Sequence, residues 1–201
     1  EGLPLDFPAW PQRMAAGFSA PSPQPRHSAP RLTFVESPHS ALILQPSRKE
    51  TSVKINVETG DITKSDARAV IVNLFQGVTS PAGATGAVDR KLGRGISGLI
   101  SEGEITGKKG EVVLVHSLGK LPTARVFVAG LGKQADFNLN TIRDLMGTAL
   151  RRARATGAKS VATIVHGAGI AGLDPAACAQ AIAEGAELGA YRFRKYKGKR
   201  A

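Results

Sequence analysis

Two glycine-rich stretches are where this sequence could first do chemistry. Residues 77–86 read GVTSPAGATG and residues 167–172 read GAGIAG; each follows an apolar run and precedes a helical pattern. Glycine lets backbone amides approach a bound group closely, and a helix start adds partial positive charge. Such loops suit phosphate or another anion. The same glycines also serve tight strand-to-helix turns with nothing bound. The two readings stay open. Asp61 reads as a turn residue and Asn73 as a satisfied strand-end amide. His116 and His166 each end a strand without a carboxylate or nucleophile partner nearby, which suits hydrogen-bonded structural histidines better than acid–base catalysts. None of the four histidines has metal-ligand spacing from another. Cys178, the single cysteine, excludes an internal disulfide and reads as a buried, inert thiol on a helix of small residues.

Charge sharpens this picture. The net charge is +11, yet residues 191–201 hold six basic side chains and no acidic one. The body of the chain is only mildly basic, so composition alone does not make it a nucleic-acid binder. The tail YRFRKYKGKR mixes cations with aromatics. It could hold nucleic-acid backbone and stack on bases, or it could be a basic helix end entering a solvated linker. No apolar run approaches the ~18 residues that span a bilayer. A cytoplasmic protein without membrane contact is expected.

The elements that must position these residues follow from hydrophobic period. Nine of the twelve prolines lie in the first fifty residues. Proline removes an amide donor and fixes φ, so residues 1–51 are expected to be a disordered leader. Val53, Ile55 and Val57 alternate with polar residues, the mark of a half-buried strand. Residues 69–74, AVIVNL, read as a buried central strand. A helix is expected over 86–100. Strands at 112–116 and 125–129 flank SLGKLPT and predict an antiparallel hairpin. Asn138 or Asn140 could cap a helix to about residue 156, and residues 160–165 supply another buried strand. Asp174 with Pro175 starts a last helix to about residue 191. The sum is an α/β domain over 52–191: a layered mixed β-sheet flanked by helices. Residues 192–201 form the basic tail.

The stretch from GDITKSDARAVIVNLFQG to VFVAGLGK, together with SVATIVHGAGIAGLDPAACAQAIAEGAELGAYRFRKYK, resembles the amino-terminal domain of the leucine aminopeptidase (cytosol aminopeptidase) family. That resemblance implies a macro-like fold. It further implies that catalysis belongs to a separate carboxy-terminal domain with two divalent metals, zinc or manganese. The signature NTDAEGRL of that domain has no counterpart here, and the chain is expected to stop where the linker to it would start. No residue here therefore inherits a catalytic or metal-binding role. The expected function is a non-catalytic structural and assembly domain of a hexameric metallo-exopeptidase, partnered by the catalytic domain. The alternative is a stand-alone module for an ADP-ribose-like ligand or nucleic acid. By similarity to macro domains, Asp61 would contact adenine, Asn73 would sit at the ligand, and Gly83, Gly86, Gly167 and Gly169 would cradle a diphosphate. The macro-type NAAN is replaced by NLFQ, so one polar partner is missing and Leu74 and Phe75 add bulk.

Overall fold

The computed structural model describes residues 40–46, 53–170 and 172–191, the first segment by its backbone alone. Six strands form one mixed sheet: β1 (Ser40–Pro46), β2 (Val53–Thr59), β3 (Ala69–Phe75), β4 (Val112–His116), β5 (Arg125–Gly132) and β6 (Val161–Ile164). Their order across the sheet is β2-β1-β6-β3-β5-β4. β3 lies between β5 and β6 and runs parallel to both. β4 and β5 form the expected antiparallel hairpin, with Val112 opposite Ala129 and His116 opposite Arg125.

The continuous apolar run of β3 has a simple cause: both of its faces are covered. Ala69 and Ile71 face a core built with α3 (Leu139–Ala155) and α4 (Pro175–Ala190), where Phe127, Ile142, Met146 and Ile182 are fully buried. Val70, Val72 and Leu74 face a second core with Val88 of α1 (Gly83–Lys91) and Ile96 of α2 (Gly95–Ser101). Burying one such aliphatic side chain contributes about 1.5–3 kcal/mol. Asn138 caps α3 by accepting from the amides of Asn140 and Thr141. Asp174 caps α4 by accepting from Ala177, with Pro175 in the first turn. Helices α3 and α4 meet along glycines. A Cβ on Gly185 would stand 2.4 Å from the Arg143 carbonyl oxygen, and one on Gly189 would stand 2.7 Å from Gly147. Cys178 is buried on this seam side, and burial pushes its thiol pKa up, with the Asp174 charge adding to the effect.

Two expectations need correction. Residues 40–46 fall inside the expected leader, yet they form β1, antiparallel to both β2 and β6. Residues 41–45 contain no proline, and Pro46 closes the strand, where a missing amide costs the ladder least. The folded sheet thus begins before residue 52. The rest of the leader and the basic tail lie outside the described residues. The single helix expected over 86–100 is two helices, because Gly93 and Arg94 both take positive φ, 70° and 63°. Asp89 holds the break. Its buried carboxylate accepts from the Ser97 amide at 2.9 Å and the Ser97 hydroxyl at 2.6 Å.

Candidate functional site

The two glycine loops arise at the carboxyl ends of adjacent parallel strands, β3 and β6, and so share one pole of the sheet. That is the usual place for a ligand crevice in an α/β sheet. At the first loop, Gly83 and Gly86 lie within the opening turn of α1 rather than before it. Gly83 has φ 55° and open space where a Cβ would point. Gly86 answers to packing instead, since a Cβ there would stand 2.5 Å from the Pro81 carbonyl oxygen. The Thr85 hydroxyl donates to the Asn73 carbonyl at 2.7 Å and ties this turn to β3. No side chain caps α1 at Ala82, and its first turn carries no acid. Its positive end is therefore receptive to an anion.

The second loop is more enclosed. A Cβ on Gly167 (φ 89°) would stand 2.9 Å from the Phe137 ring and 3.0 Å from Ile142 Cδ1. Phe137 in turn meets Phe75 edge-on, with ring centroids 5.2 Å apart. Apolar side chains thus pack directly over Gly167. The Ile170 amide donates to the Gly167 carbonyl at 2.9 Å, so the turn uses that donor itself. Gly169 (φ 73°) faces open space. The start of α4 already meets a negative charge, the carboxylate of Asp174.

Between the loops runs a buried polar chain. Asn73 Nδ2 donates to His166 Nδ1 at 2.9 Å, and His166 Nε2 lies 2.7 Å from Thr163 Oγ1. The Thr163 hydroxyl donates to the Ile71 carbonyl at 3.3 Å. An amide nitrogen only donates, so Nδ1 accepts and the ring proton sits on Nε2, pointing at Thr163. His166 is fully buried, and burial brings its pKa down to about 3. It is a neutral hydrogen-bonded strut between β3 and β6, the structural role read from sequence. His116, in contrast, is exposed at the end of β4. Asp61 caps a short 3-10 turn, Ile62–Lys64, accepting from the Thr63 amide at 2.9 Å and hydroxyl at 2.8 Å. The Thr63 amide is the chief reason its carboxyl is held below the usual range; Lys64 and Lys91 add smaller pulls. The structure therefore brings Asn73 and the four glycines to one pole, and Asp61, exposed just past the end of β2, lies at that pole too because β2 runs parallel to β6.

Sequence reasoning missed four contributors. Thr163 is the one polar residue in a buried strand, and that oddity was its signal. Phe137 and Ile142 gave none, because they reach Gly167 from a distant element. Glu111 organises a third loop: its carboxylate accepts from the amides of Thr106 and Gly107 at 2.9 and 2.7 Å. The Gly107 carbonyl then accepts from the Gly132 amide at 2.9 Å, and the loop closes over the ends of β3 and β5. A Cβ on Gly107 would stand 2.5 Å from the Phe75 carbonyl oxygen. Among the described residues, no group of three or more His, Cys, Asp or Glu could hold a metal ion. No described helix is long and apolar enough to cross a membrane.

Residues 71–200 match the cytosol aminopeptidase family, N-terminal domain. The chain belongs to the cytosol aminopeptidase family. Its relatives include the probable cytosol aminopeptidase of Alkaliphilus oremlandii (strain OhILAs), 35% identical over 145 residues, or 72% of this chain and 29% of the relative. The probable cytosol aminopeptidase of Geobacter sulfurreducens is 32% identical over the same shares. This family member thus spans about 29% of the length of the curated relatives it matches. Two solved structures share its fold. An Oceanobacillus iheyensis macrodomain with MES bound has TM-score 0.59 and 15% identity, covering 75% of this chain and 82% of the macrodomain. A tomato leucine aminopeptidase mutant has TM-score 0.55 and 16% identity, covering 79% of this chain and 32% of the enzyme. The macro-like fold read from the resemblance is the fold of this domain.

Proposed function

We propose that this amino-terminal domain is a non-catalytic structural and assembly part of a leucine-aminopeptidase-like metallo-exopeptidase that works in the cytoplasm as a hexamer. The observation that carries the reading is the match itself: the family's N-terminal domain, placed in relatives of which it forms about 29%. Hydrolysis, with two zinc or manganese ions to activate water, belongs on this reading to the remainder of such a protein. The described side chains do not fit that metal pair, since they bring no three candidate ligands together. The buried polar chain supports the same reading, because His166 is enclosed and neutral and Asn73 spends an amide hydrogen on it. The purified chain is expected to leave a leucine-anilide substrate intact with zinc or manganese added. Hydrolysis that copurifies with the polypeptide and is abolished by chelator would overturn the reading.

The second reading, a module for an ADP-ribose-like ligand, has one observation in its favour: the uncapped start of α1 beside the open Gly83. Against it stand the aromatic packing over Gly167 and the missing polar partner in NLFQ. Calorimetry with ADP-ribose separates the two. Weak binding is expected, and low-micromolar affinity lost on Asp61→Ala would favour the module.

A further inference from the structure

The sheet has two edges, and the sequence treats them differently. β2 ends one side. It carries Lys54 and Glu58, and its first amide, on Val53, donates to the Glu187 carboxylate of α4 at 2.9 Å. Charges on an edge strand and cover for its backbone groups are common guards against pairing with another chain. β4 ends the other side and pairs with β5 alone. Its five residues, VVLVH, hold no lysine, no acid and no proline. The register with β5 runs unbroken from Val112 opposite Ala129 to His116 opposite Arg125.

That register decides which backbone groups β4 leaves open. The Gly130 amide donates to the Glu111 carbonyl at 2.9 Å, and the Ser117 amide donates to the Ala124 carbonyl at 3.1 Å. Hydrogen-bonded pairs in an antiparallel ladder recur at every second residue, so Val113 and Val115 also turn their amides to β5. Val112, Leu114 and His116 therefore point theirs away from the sheet. Both faces of the strand are half covered. Val112 and Leu114 pack partly against the α3–α4 core, Val113 and Val115 partly against the α1–α2 core. A strand laid along this edge would find amide partners beside it and apolar neighbours on both faces.

Charge decides what kind of strand fits. Exposed Lys108 and Lys109 stand in the turn just before β4, and exposed Lys120 in the turn just after it. Arg125, opposite His116, adds a cation at the same end as Lys120. The acids that touch these turns are committed: Glu111 accepts from the Thr106 and Gly107 amides, and Asp144 pairs with Lys109 at 3.1 Å. Antiparallel pairing with a second copy would bring the Lys108 turn of each chain to the Lys120 turn of the other, like charge against like.

We propose that β4 receives an extended segment of a partner protein as an added strand, and that this segment is apolar through its middle and acidic at both ends. Main-chain bonds hold such a strand, and the flanking charges select it. The proposal goes beyond the assembly role above and does not depend on it.

The probe is a capped peptide of alternating valine and threonine with two glutamates at each end, added to the full 201-residue chain. Amide hydrogen exchange, read residue by residue by NMR, should slow about tenfold or more at Val112, Leu114 and His116. It should stay as it was at Val113 and Val115, whose amides β5 already protects. The same peptide with lysines in place of the glutamates should bind at least about tenfold more weakly, and the difference should shrink as salt is added. Leu114→Pro removes an outward amide and no ladder bond, so it should abolish the protection by peptide. Where that variant disturbs the fold, the two peptides on the native chain carry the test alone. Unchanged exchange at millimolar peptide overturns the proposal, and so does equal binding of the two peptides. Slowing of the same three amides with rising protein concentration, no peptide present, also overturns it and gives the edge to a second copy.

Discussion

Mild acid should destabilise this domain through His166. The ring is neutral in the folded state, with a pKa near 3, whereas an unfolded histidine titrates near 6.5. Between those values the unfolded chain binds more protons than the folded one. Stability is therefore complete above about pH 6.5, falls as pH drops below it, and stops falling on this account below about pH 3. At one pKa unit per ~1.4 kcal/mol, the loss between pH 7.5 and pH 5 comes to about 2 kcal/mol. That is a large share of the 5–15 kcal/mol typical of a domain. The window lies above the range in which Asp61 and Glu184 titrate, because both are held below ordinary carboxylate values, Asp61 chiefly by the Thr63 amide and Glu184 chiefly by Arg143. Urea denaturation followed by circular dichroism at pH 7.5, 6 and 5 measures the effect. His166→Gln is polar but does not titrate; it should cost stability at pH 7.5 and lose about 2 kcal/mol less than the native chain on going to pH 5. Nitrogen NMR should also show the proton on Nε2 throughout. Equal pH slopes for the native chain and the variant would refute the buried neutral strut.

Further outcomes follow from packing. Gly185→Ala should destabilise by about 1–3 kcal/mol in a urea melt, because its Cβ meets the Arg143 backbone rather than a movable side chain. Gly98→Ala, in α2 with open space at its Cβ, should instead stabilise by about 0.5–1 kcal/mol. Asp89→Ala should cost about 2–3 kcal/mol and speed amide exchange at Ser97, since two donors lose a charged acceptor. Leu118→Asn should stabilise the chain slightly in a thermal melt by relieving the left-handed backbone, φ 49°.

What the sequence revealed was what neighbours in the chain decide. The period of AVIVNL, the reversal around Gly119 and the caps Asn138 and Asp174 all act within a few residues, and each appears where the pattern put it. What it hid was decided across distance. Asn73 and His166 are 93 residues apart, and only the parallel pairing of β3 and β6 brings them together. Phe137 reaches Gly167 for the same reason. β1 was hidden differently: its apolar core of 41–44 is short and stands among prolines whose local effect outweighs it in any window. The break at Gly93 and Arg94 depended on a left-handed arginine, which no propensity favours.

The glycine seam between α3 and α4 has a consequence for register. A one-turn slide of α4 that carried Gly185 to the place of Gly189 would carry Ala181 to the place of Gly185, and its methyl would strike the Arg143 carbonyl. A slide the other way would carry Gly189 off Gly147, and α4 ends at Ala190 with no further glycine to replace it. The seam is a keyed joint with a single seating. α4 therefore acts as a fixed mount, and the direction in which the chain departs at Tyr191 is set by two backbones in contact rather than by adaptable side chains.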